Sequence, residues 1–216
     1  MKNAIDAIMN AIRILITNCI SHDVIRQILN EFGYPIEKLQ QGLDMYNEVD
    51  GLVTEQREEY FEQFEASDIF YDEWELAKKF SMRTLKFARI AFEGNTKILN
   101  DMHANKSRSD RYDVWRVDAR AMYETMLGDE SLINVMLEFG YSVEKLTSEY
   151  EDIKKLDTFY NSYLSEKGEA QQSTLIRDQK LQELRVWMRR LKKVARLALA
   201  DQPQLLEILG IIVKRK

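Results

Sequence analysis

Cys19 and His22 stand three residues apart, a spacing that lets an imidazole serve as base to a thiol nucleophile where two helices meet. The residues 107 positions further on are Met126 and Asp129, so a chain that repeats at that distance carries the frame without this chemistry. A carboxylate-bridged metal centre inside helices needs inward Glu residues together with Glu-x-x-His pairs. The chain has two histidines, His22 and His103, and neither follows a Glu by three positions. His22-Asp23 and Asp101-Met102-His103 are pairs without the rest of a ligand set, and their expected roles are capping or hydration. Glycine-rich phosphate loops, Cys-x-x-Cys, His-Glu-x-x-His and Gly-x-Ser-x-Gly are missing from the sequence. The expectation is a non-catalytic interaction or scaffolding protein with no catalytic, cofactor-binding or metal-ligating residue assigned; a small-ligand-binding or enzymatic helical protein without a recognisable motif is an alternative.

The remaining candidate is electrostatic. Arg185, Arg189, Arg190, Lys192, Lys193 and Arg196 place six positive side chains in twelve positions. Such a run, with Lys214-Arg215-Lys216 at the tail, can contact an acidic protein or a phosphate backbone. The plain alternative is that these cations pair with carboxylates of a neighbouring helix or stay hydrated. The formal charge of -5 sets the whole-molecule field against a polyanion, so nucleic acid is the less favoured partner and a protein the more favoured one. No short recognition helix of the kind that reads bases stands out. Phe61, Phe64, Phe70, Tyr71, Trp74 and Phe80 could line a ligand cavity, but aromatic residues at helical spacing more often fill a core.

The elements that hold these residues are organised around a repeat. Glu31-Phe32-Gly33-Tyr34-Pro35-Ile36-Glu37-Lys38-Leu39 returns 107 positions later as Glu138-Phe139-Gly140-Tyr141-Ser142-Val143-Glu144-Lys145-Leu146. The same offset, without a gap, lays Lys86-Phe87-Ala88-Arg89-Ile90-Ala91 on Lys193-Val194-Ala195-Arg196-Leu197-Ala198. Two blocks at one spacing predict a tandem duplication: a first repeat over 1–104, a linker at 105–109 and a second repeat over 110–216. Gly33 and Gly140 are expected at C′ of a short helix, where a left-handed residue closes the last turn. Tyr34 and Tyr141 follow and should bury their rings. Pro35 and Ser142 supply helix-start chemistry by different means, a preset φ and a capping hydroxyl.

Within each repeat the apolar spacing predicts an opening amphipathic helix, a short helix begun at Ser21 or near Asp129, a long helix, and a short closing helix. Two prolines and eight glycines in 216 residues suit long helices and suit many-turned sheets poorly. Each long stretch is expected to fold back as a hairpin near 66–68 and near 167–173, where Gly168 interrupts the pattern. Acidic and basic arms would then lie side by side. One continuous helix from Pro35 to Phe92, with no Gly or Pro between Gly51 and Gly94, is the alternative. The expected fold is all-α, two duplicated hairpins forming an elongated antiparallel four-helix bundle with short flanking helices. Asp6, Asn10 and Arg13 interrupt the apolar start, no stretch is expected to reach the length of a membrane span, and Cys19 alone offers no disulfide. A reducing, cytoplasmic setting is the expectation.

Overall fold

The computed structural model describes residues 2–212. Among them it has eight helices and no strand: α1 Lys2–Ser21, α2 Asp23–Glu31, α3 Ile36–Ala91, α4 Thr96–Asp101, α5 Tyr112–Leu127, α6 Glu130–Leu137, α7 Val143–Ala198 and α8 Gln204–Ile208. The basic tail Lys214-Arg215-Lys216 lies outside the described residues. The protein is an all-α helical bundle.

Neither long stretch folds back. α3 and α7 are each one uninterrupted helix of 56 residues, and the turns expected near 66–68 and 167–173 are absent. The reason is visible in the buried face. In α7, Ala170, Ser173, Arg177, Leu181 and Leu184 are all buried, so the three-four spacing carries straight on past Gly168. An exposed helix-interior glycine costs about 1 kcal/mol relative to alanine, too little to break a helix that packs on both sides of it. In α3, Val53, Phe70, Trp74 and Ala77 are buried, and no proline occurs within the helix.

The chain forms two compact units, one of residues 1–61 with 168–216 and the other of residues 62–167. Each contains residues from both sides of the segment 105–109. In the first unit, Leu15 and Cys19 of α1, Ile25 and Leu29 of α2 and Leu39 of α3 pack with Leu191, Ala195 and Leu199 of α7. A second cluster joins Met9, Ile12 and Ile16 to Val49, Val53, Leu181 and Leu184. Here α3 and α7 run in opposite directions, since Glu48 meets Lys180 at 2.8 Å while Gln56 accepts from Arg177 further along. The second unit has one core, in which Phe70, Trp74, Tyr112, Trp115, Tyr160 and Tyr163 form a continuous aromatic group.

The helix ends explain themselves locally. Gly33 (φ +79°) and Gly140 (φ +77°) are left-handed. The amide of Tyr34 donates to the carbonyl of Leu29 at 2.9 Å, and that of Tyr141 to Met136 at 3.1 Å, the paired closure that a C′ glycine allows. Tyr34 and Tyr141 are buried, and Lys38 and Lys145, each four residues on, cover their rings at 3.9 and 3.7 Å. Ser142 Oγ accepts from the amide of Lys145 at 3.3 Å, and Pro35 directly precedes α3. At the start of α2 the capping residue is His22, with Ser21 still in α1: the imidazole Nδ1 accepts from the amide of Ile25.

One correction concerns α1. Its stretch Ala4–Ser21 is, by length and composition, apolar enough to cross a membrane, contrary to the expectation that no stretch would be. Met9, Ile12, Leu15, Ile16 and Cys19 are nonetheless buried in the first unit, so much of that apolar character is used as core.

Candidate interaction surface

Where the sequence offered nucleophilic chemistry, the fold withholds it. Cys19 is fully buried, and burial pushes its thiol pKa up to about 12, so the reactive thiolate is suppressed. Its sequence neighbour His22 is occupied as a cap. Among the aromatic residues considered for a cavity, Phe70 and Trp74 are buried while Phe61 and Phe64 are exposed.

The second unit contains two polar clusters that the sequence reading passed over. Asp118, with a side chain only 3% exposed, is met by His103 Nδ1 and Lys106 Nζ, each at 2.8 Å, and by Arg108 at 3.9 Å. Burial disfavours its charge, but Lys106 and His103 outweigh that and hold the carboxyl below its usual range. The segment between α4 and α5 is thereby strapped to α5, with Arg89 donating to the carbonyls of Ala104 and Lys106 at 2.7 and 2.8 Å. Asp157 is held in the same manner by Arg116, Arg120 and the hydroxyl of Tyr112, at 2.7 to 2.8 Å. Burial again opposes the charge and the three donors again prevail, leaving Asp157 low. The sequence did carry a signal for Asp118: it occupies the apolar stripe of α5, beside Trp115, Ala119 and Met122. An imidazole on a carboxylate is half of an acid–base device, but the other groups on Asp118 are cations, and the arrangement is that of a clasp.

The basic run of α7 is different. Arg189, Arg190, Lys193 and Arg196 are exposed, and Arg185 and Lys192 are half-buried. Among the described residues none of the six makes an ion pair or a hydrogen bond, so the pairing with an acidic neighbour weighed from the sequence does not form. The acidic first half of α3 does run alongside α7, as Glu48 on Lys180 shows, but its carboxylates do not pair with these six. Between Glu183 and Asp201 the chain has no carboxylate at all. With 3.6 residues per turn, every member except Arg190 falls within about 100° of the helix circumference, over a length of about 17 Å. The adjoining face is anchored by Leu184, Leu191, Ala195 and Leu199, all buried, which fixes the row on a rigid support. Lys192 is pushed down by burial and then by the charge of Arg196. Leu197, 74% exposed, flanks the row.

No protein-family model, curated protein or solved structure matches this chain.

Proposed function

We propose that this chain is a non-catalytic binding protein, built by tandem duplication of a helical unit, that engages an anionic partner through the basic face of α7 between Arg185 and Arg196. One observation carries the reading: six cations stand on a rigidly backed helix without an ion pair or hydrogen bond among the described residues. Like charges so arranged repel one another, and an anionic partner relieves that repulsion.

The duplication is supported by agreement of bounds. α3 and α7 begin and end 107 positions apart, at Ile36 and Val143 and at Ala91 and Ala198. The left-handed residues Gly33 and Gly140, and His103 and Gly210, repeat at the same distance.

The experiment is retention of the full chain on a sulfated polyanion resin across a salt gradient, for the parent protein and the variant R189Q/K193Q/R196Q. The parent should elute at higher salt, with both proteins melting at the same temperature. Equal elution would remove the basis of the reading.

A further inference from the structure

Accepting the basic face as the binding surface, we infer that its partner is an acidic amphipathic helix of another protein, carrying Asp or Glu one turn apart and an apolar side chain that seats on Leu197.

Spacing is the first argument. Arg185, Arg189, Lys192 or Lys193, and Arg196 succeed one another every three or four residues, so the charges repeat at about 5 to 6 Å along the axis. Carboxylates at i, i+4 and i+8 on a facing helix repeat at the same pitch, and the row on α7 is fixed before it meets them, which limits the entropy lost on binding.

Composition of the face is the second. Proteins that hold single-stranded nucleic acid combine cations with aromatic platforms on which bases stack. Trp187 is the one aromatic residue between Glu183 and Asp201, and its ring is turned edge-on to Tyr34 with centroids 6.2 Å apart. The row offers cations with an aliphatic flank. Leu197 has nothing to gain from a phosphate backbone, whereas the apolar edge of an amphipathic helix covers it.

Field is the third. The formal charge of -5 opposes long-range capture of a long polyanion, but it weighs less on a short ligand seated on the row, each of whose ionic contacts is shorter than the Debye length of about 8 Å at physiological salt.

The test uses the full chain and a labelled synthetic helical peptide of roughly 18 residues, with glutamates along one face and leucines along its edge. A second peptide of the same composition, with glutamates and leucines scattered around the helix, serves as control, together with single-stranded RNA and duplex DNA. Anisotropy titrations are run at about 0.15 M salt, near physiological ionic strength. The patterned peptide should bind about tenfold or more tightly than the scattered one. R189Q/K193Q/R196Q should lose most of that binding, and Leu197→Ser should weaken it about threefold with an unchanged melting temperature. Equal affinity for both peptides would overturn the inference. So would binding of RNA or DNA but not of the patterned peptide, although the polyanion reading of the face would then stand. Failure of every anion to bind would overturn both.

Discussion

The two units meet the same packing problem with different side chains, and residues 107 positions apart show how. Phe70 lies in the aromatic group of residues 62–167, in contact with Tyr112, Tyr160 and Tyr163. Its counterpart is Arg177, also buried, which donates to Gln56 and Asp178 in the other unit. Glu149 accepts hydrogen bonds from the buried hydroxyls of Thr84 and Tyr123, each at 2.7 Å. The residue in that register in the other unit is Gly42, and the indole of Trp187 fills the space a Cβ would need. Arg89 is spent on the carbonyls of Ala104 and Lys106, while Arg196, its counterpart, touches no acceptor among the described residues. One backbone frame therefore tolerates exchange of aromatic for charged, polar for indole, and committed for free cation. What it requires is that each replacement be satisfied locally. The cations of α7 are the exception, since among the described residues they make no such contact and face solvent.

The comparison is broken most severely in the aromatic group. Phe70→Ala should cost about 4 kcal/mol, as large aromatic truncations in packed cores do, whereas Arg177→Leu should cost about 1 kcal/mol or less, since an apolar side chain needs no hydrogen bonds. Denaturant melts of both variants decide this, and equal losses would refute the contrast.

Next comes the clasp. Asp118→Ala leaves Arg108 without its carboxylate and should cost about 3 kcal/mol. Asp118 and Asp157 both have pKa values lowered by folding, so their stabilisation is complete above the unfolded value near 3.9 and is lost as pH falls through the folded values. Melting temperature should thus drop between about pH 5 and pH 2, and less steeply in the Asp118→Ala variant. A parallel pH dependence in the two proteins would show that the clasp contributes nothing.

Two glycines sharpen the comparison at smaller scale. Gly42→Ala drives a methyl into Trp187 and should destabilise by about 2 kcal/mol, the usual cost of overpacking. Gly168→Ala meets nothing and lies in uninterrupted helix, so it should stabilise by about 0.5 to 1 kcal/mol. Thermal melts of the pair should move in opposite directions. A loss at Gly168 would restore the turn that the helix lacks.

How much of this was legible in the sequence follows from what each feature depends on. Helix class, the element starts near Pro35 and Ser142, and the breaks after α3 and α7 rest on local chemistry: periodicity, caps and glycines. Continuity was legible in part for α3, where no Gly or Pro lies between Gly51 and Gly94, but not for α7, because Gly168 and the polar stretch around it weaken helix propensity and only tertiary burial of Ala170, Ser173 and Arg177 overrides that weakness. The basic residues were found by composition alone, but their freedom from partners depends on what lies opposite them, which no local pattern encodes. Asp118 was missed because its partners His103, Lys106 and Arg108 come from the preceding segment, and a carboxylate within an apolar stripe was the one available sign.

The most direct measurement sets matched pairs of cations against each other: K86Q/R89Q in α3 and K193Q/R196Q in α7, at the same register 107 positions apart. Melting temperature and salt of elution from the polyanion resin are recorded for each. The account predicts that K193Q/R196Q elutes at lower salt with unchanged melting. K86Q/R89Q should lose about 1 kcal/mol of stability, from the hydrogen bonds of Arg89, and keep most of its retention. Equal loss of retention in both, or lost stability in the α7 variant, would contradict it, since the cations of α7 would then be neither distinct nor free.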